Sequence, residues 1–166
     1  MYKMDNKIII LGVITLIIFF SGCIQSNTNK IDALTTNINS HIKSGDQYYN
    51  DAGTAINKFQ YSDALNNCNN ATSEFNQART YASQGLTYAQ DSNDTVYINY
   101  MQDVVNEIDA KLNATNELKN AIPYLESNDT VNANLHIGNA NTFMNNAVQF
   151  NSLRQQIVQQ NSAKFK

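Results

Sequence analysis

Two cysteines, two histidines and a set of carboxylates are the side chains that first invite covalent or acid–base chemistry in this sequence. Cys23 is the most marked of them. It follows the small pair Ser21-Gly22 at the end of an apolar run, where a peptidase can reach the backbone and the thiol can carry a thioether-linked lipid. Cys68 falls on an apolar helical stripe and reads as a small core residue. With Cys23 lipidated, no disulfide can form within the chain. His41 and His136 are the only imidazoles. Counted along their helices from a shared end, they differ in height by roughly 16 Å, too far for one metal. His41 reads as a filled seam position and His136 as a surface position. No Glu-x-x-His, Cys-x-x-Cys-His or His-Glu-x-x-His occurs, no Ser, Thr or Cys sits in a nucleophile motif, and no glycine-rich phosphate loop is present. Asp103, Glu107 and Lys111 follow at four-residue spacing and read as a solvated helix face. Asp91, Asp94 and Asp129 read as turn caps and their neighbours rather than cation ligands. The expectation is a protein that is not an enzyme, with no catalytic residue, no metal and no cofactor.

The elements that would position Cys23 lie upstream. Lys3 and Lys7 supply the positive start of a signal segment. Ile8 through Phe20 is apolar apart from Gly12 and Thr15. Such a run is roughly 20 Å long as a helix, short for a permanent span and suited to a signal segment. With Phe20, Ser21, Gly22 and Cys23 it resembles the lipobox of bacterial and archaeal lipoproteins: an aliphatic residue, a small residue, Gly or Ala, then Cys. Phe20 stands where that pattern usually has Leu. The resemblance covers about the first 23 residues and implies cleavage before Cys23, lipidation of Cys23, and a position on the extracytoplasmic side of the cell membrane. Segments 1–22, 23–29 and 30–166 then read as signal or anchor, short polar tether, and folded part.

The net charge is −3, and −4 once Lys3, Lys7 and Asp5 are removed with the signal. A chain without a basic patch releases no counterions from phosphates, which argues against nucleic acid as a partner. The membrane is reached through the anchor, and any further partner is expected to be a protein or a glycan. Asn is unusually frequent, with 27 among 166 residues. In this it resembles the Asn-rich lipoproteins encoded by methanogenic archaea, a likeness with no function attached. Glycosylation triplets begin at Asn70, Asn93, Asn113 and Asn128. This composition alone gives about four by chance, so only their placement carries information. Asn93 and Asn128 fall at turns and are the accessible candidates.

Asn is a poor interior helix former, yet apolar residues recur at alternating spacings of three and four, so packing must hold the helices. Ile31, Leu34, Ile38, His41, Gly45, Tyr48, Ala52, Ala55 and Phe59 mark the first helix, with a weak point at Gly45. Ser62 is the expected cap of the second, whose inner face is Ala64, Cys68, Ala71, Phe75, Ala78, Ala82, Gly85 and Ala89. Tyr97, Tyr100, Val104, Ile108, Leu112, Thr115, Leu118, Ile122 and Leu125 face inward on the third, which Pro123 should bend near its end. Ala133, Ile137, Ala140, Met144, Ala147, Phe150, Arg154 and Val158 do so on the fourth, widened by Phe143, Leu153 and Ile157, and the last residues are expected to fray.

The five letters Ser92-Asn93-Asp94-Thr95-Val96 return as Ser127-Asn128-Asp129-Thr130-Val131. A shift of 69 residues also lays Ala52 on Ala121, Ala64 on Ala133, Cys68 on Ile137, Ala71 on Ala140 and Ala78 on Ala147. Two related hairpins are the simplest account. Tyr61, Ala64, Cys68 and Ala71, with Tyr48 and Ala52 upstream, further resemble the second half of a tetratricopeptide repeat, which implies helical-hairpin packing.

The expected fold is all-α: an antiparallel four-helix bundle of two similar long hairpins, about 30–91 and 94–162, behind an N-terminal signal or anchor helix. The expected role is a membrane-tethered, non-catalytic cell-surface interaction or structural module. The alternatives are a ligand-binding or sensor bundle, with Tyr48, Tyr49, Tyr81, Tyr88, Tyr97 and Tyr100 around a cleft, or a small anchored subunit of a membrane complex. An alanine-packed core favours the first, a tyrosine-walled cavity the second, and a buried, perturbed carboxylate an enzyme.

Overall fold

The computed structural model describes the backbone of residues 6–165 and the side chains of residues 27–165. Phe20, Ser21, Gly22 and Cys23 lie outside the described side chains. The chain forms four helices: α1 (Asn6–Asn57), α2 (Tyr61–Asp91), α3 (Thr95–Glu126) and α4 (Thr130–Gln160). Among the described residues no helix is long and apolar enough to cross a membrane, a statement that does not reach segment 8–20.

The apolar spacing explains the packing of α2 directly. All eight residues read as its inner face are buried. The alanines let neighbouring backbones approach, and two glycines cut deeper notches. A Cβ on Gly45 would lie 2.5 Å from the ring of Phe75, and one on Gly85 would lie 2.7 Å from Met101 Cε. Gly45 therefore seats Phe75, and α1 runs through it unbroken. This corrects the expected weak point.

Sequential helices pair as in an up-and-down bundle, and α1 also meets α3 at a few positions. The backbones of α1 and α4 do not approach each other among the described residues, so the row stays open between its outer helices. Central α3 is consequently buried over much of its circumference. It hides Met101, Val105, Ala110, Ala114 and Ala121 besides six of the nine residues on its expected stripe. Outer α4 buries only Ala133, Ala140 and Ala147 and leaves Leu153 exposed.

The turns repeat with the 69-residue shift. After α1, Phe59 takes φ 58°, its N–H donates to Ile56 O, and Gln60 N–H donates to Ala55 O. After α3, Asn128 takes φ 57°, its N–H donates to Leu125 O, and Asp129 N–H donates to Tyr124 O. Both are Schellman turns, which close a helix by placing one residue in the left-handed region. Asn suits that region; Phe does not, and the cost is about 1 kcal/mol. Phe59 thus leaves the stripe of α1 for an exposed turn. The third turn uses Asn93 at φ 55°.

Caps follow the aspartates. Val96 N–H donates to Asp94 Oδ1 at 3.0 Å and Asn132 N–H to Asp129 Oδ1 at 3.2 Å. Ser62 is not a cap: α2 starts at Tyr61 behind Gln60, whose side chain caps nothing. The end of the chain also departs from expectation. Beyond α4 the tail folds back, with the Phe165 ring 4.9 Å from Tyr97 and 5.0 Å from Tyr100. Tyr97 O–H donates to Lys164 O, and Lys164 pairs with Asp94. Apolar burial and these polar ties hold a segment that would otherwise fray.

Candidate functional site

Three arrangements gather the polar chemistry. The first is a charge chain through the middle of the fold. Asp46 on α1 reaches Lys111 Nζ at 2.5 Å, Lys111 lies 3.8 Å from Glu107 Oε1, and Arg154 Nε on α4 lies 2.9 Å from Glu107 Oε2. Glu107 and Lys111 are 3% and 7% exposed, so they are not a solvated face. Their placement on α3 explains the error: four-residue spacing fits a wet face only when a helix has one buried side, and α3 has several. Burial pushes the Glu107 carboxyl up, and the charges of Arg154 and Lys111 oppose it. The Arg154 guanidinium is the cation at Oε2, a buried oxygen with no well-aligned hydrogen bond. Lys111 also lies 5.8 Å from the centre of the Phe75 ring.

The second arrangement occurs twice. His41 Nδ1 on α1 lies 2.7 Å from Glu74 Oε2 on α2, and its ring stacks on Tyr81 at 5.7 Å and 13°. His136 Nδ1 on α4 lies 2.8 Å from Glu117 Oε2 on α3, and its ring stacks on Tyr124 at 5.4 Å and 17°. In each, Tyr follows Glu by seven residues, two turns along one helix, and His comes from the neighbouring helix. The hydrogen bond from His136 holds Glu117 below the ordinary carboxyl range. Each histidine is an interhelical clamp. His136 is thus not a simple surface residue, and His41 keeps its seam position. The spacing Glu-x₆-Tyr was visible in the sequence, but only the packing shows which His meets it.

The third is an open groove of about 1050 Å³ at the end that carries the Phe59 and Asn128 turns. Tyr61 and Leu65 of α2, Lys119, Ile122 and Glu126 of α3, and His136 of α4 help to line it. Phe59 does not line it but adjoins it through Tyr61, its ring edge-on to that side chain at 6.4 Å.

The remaining expected sites fall as follows. Cys68 is buried, and burial pushes its thiol up to about 11, away from the thiolate form that nucleophilic chemistry uses. Asn93 and Asn128 are exposed at turns, and Asn70 and Asn113 are exposed on α2 and α3. The six tyrosines are not gathered around one cleft. Tyr97 and Tyr100 hold Phe165, while Tyr48, Tyr49, Tyr81 and Tyr88 pack at the core edge. Asp103 is half-buried and belongs to none of the three arrangements. Comparison with known families, curated proteins and solved structures finds no match to this chain.

Proposed function

We propose that this chain is an extracytoplasmic lipoprotein, tethered through Cys23, whose helical part is a non-catalytic interaction or structural module. One observation carries the non-catalytic part. The groups best able to move protons are engaged in holding helices together: Glu107 between Lys111 and Arg154, His41 on Glu74, and His136 on Glu117. A general base must be free to face a substrate. Glu107 meets the burial criterion for an acid–base group, but it faces two cations rather than a groove wall. The alanine face of α2 supports the same reading, since it fills the space a tyrosine-walled cavity would need. The partner is a protein or a glycan; the net negative charge argues against nucleic acid.

The distal groove favours one second reading, capture of a small ligand between Tyr61 and Tyr124. The deciding experiment for the anchor is the intact mass of protein extracted from native membranes. A mass for 23–166 plus a lipid adduct is expected, with added sugar mass if Asn93 or Asn128 is used. An unmodified full-length mass sinks the lipoprotein reading and moves the chain toward an anchored subunit of a membrane complex.

A further inference from the structure

The distal end breaks two rules at one residue. Phe59 holds a left-handed backbone that the matching turn gives to Asn128, and its side chain is 78% exposed. A bulky residue in that conformation is strained, and an exposed aromatic ring gains nothing from burial. Strain of this kind, unrelieved by packing in its own chain, marks a functional position. Phe59 is not alone. Leu65, Val131 and Leu135 are exposed at 38%, 78% and 60% and lie within the first turns of the two helices that start at this end. By contrast, Tyr97, Tyr100 and Phe165 at the opposite end cover one another.

The same end therefore presents both a projecting ring and, beside it, an apolar-floored groove. We propose that it binds a second copy of this chain, the distal turns of the two copies overlapping side by side and antiparallel, with Phe59 of each copy entering the groove of the other. Two features select this occupant. A two-fold contact brings one patch against itself, so the patch must contain both a projection and a cavity; Phe59 and the groove of about 1050 Å³ supply them. Its charges must also be of both signs and set apart. Lys119 and Glu126 line the groove seven residues apart on α3, roughly 10 Å along the helix. A two-fold axis between them sets Lys119 of one copy opposite Glu126 of the other, twice. A membrane surface, the other occupant for an exposed aromatic, is disfavoured: Asp63, Glu126 and Asp129 at this end outnumber Lys58 and Lys119.

The inference deepens the interaction-module reading and rests on it. Its test is independent of the lipid anchor, so the two fail separately. Full-length protein in detergent is examined by light scattering, with wild type beside Phe59→Asn and Leu65→Asn. Two chains per particle are expected for wild type. Each variant should weaken association at least tenfold with unchanged helicity, and Phe59→Asn should also raise Tm by relieving the turn. A single chain per particle up to high concentration overturns the proposal. So does a pair that survives both variants, which would place the contact elsewhere, including the apolar segment 8–20. A benzophenone amino acid at position 59 gives the geometry: covalent dimers linked to 61–65 or 119–127 support it, and links confined to other segments, or none, overturn it.

Discussion

The two hairpins end in the same Schellman turn and carry the same His–Glu–Tyr clamp, yet they bury different material. The α1–α2 hairpin sets Phe75 over Gly45 and hides Ile31, Ile38 and five fully buried alanines of α2. In the α3–α4 hairpin the outer helix contributes three buried alanines, half-buried side chains such as Ile137, Phe143, Met144 and Phe150, and two polar ties: Arg154 on Glu107 and His136 on Glu117. The difference teaches that similar helical patterns acquire different energetics from their number of neighbours. Water-excluded area stabilises the first hairpin at about 25 cal/mol per Å². The second adds matched charges to its thinner buried face, and these cost desolvation before they attract.

Four substitutions break or sharpen this contrast, from the largest effect down. Phe75→Ala empties the Gly45 notch and should cost about 4 kcal/mol in urea unfolding at neutral pH. A loss under about 1 kcal/mol would show that the first hairpin is not held by this seat. Arg154→Met leaves Glu107 buried against Lys111 alone and should cost about 3 kcal/mol. A neutral outcome would mean that Glu107 is already uncharged in the fold. His41→Ala and His136→Ala each remove a hydrogen bond to a carboxylate and should cost about 1–2 kcal/mol. Equal losses support equivalent clamps; a much greater loss at His136 would show that the second hairpin depends more on its polar ties.

The smallest effect lies in pH dependence, where two carboxylates act with opposite sign. The Glu107 carboxyl is raised in the fold, so the native state keeps its proton where the unfolded state has lost it. Its contribution to stability is greatest below the ordinary carboxyl range and declines as pH rises toward the folded value. The Glu117 carboxyl is lowered, so its contribution is present above the ordinary range and disappears as pH falls through it. Glu107→Gln should therefore flatten the decline on the rising side, and Glu117→Gln the loss on the acid side. Urea midpoints followed from pH 3 to 7 read both, and identical profiles for the two variants would refute the assignment.

The open row explains which parts of the sequence were legible. An outer helix with a single buried stripe obeys the three-four spacing, so Ala133, Ala140 and Ala147 were recognisable without a structure. The eight inner residues of α2 were equally plain, because alanine, glycine and cysteine leave little else for a helix face to be. Asn93 and Asn128 were legible as turns because few other residues accept a left-handed backbone, and Asp94 and Asp129 because a helix start needs an acceptor. α3 was read too narrowly. One period describes one face, whereas this helix is covered from several directions, so Glu107 and Lys111 were placed in water when they are at the centre. The twin clamps were missed because each joins residues from two helices whose relative height only packing fixes.

The sequence by itself determined the four helices, the turns at Asn93 and Asn128 and the alanine seam. These depend on local backbone preference and on a hydrophobic period written along one chain segment. Tertiary structure alone decided that α1 and α4 stay apart, that a carboxylate and two cations meet in the interior, that the tail docks, and that Phe59 stands exposed beside a groove. Each of those depends on distances between segments far apart in sequence, and no single segment encodes them.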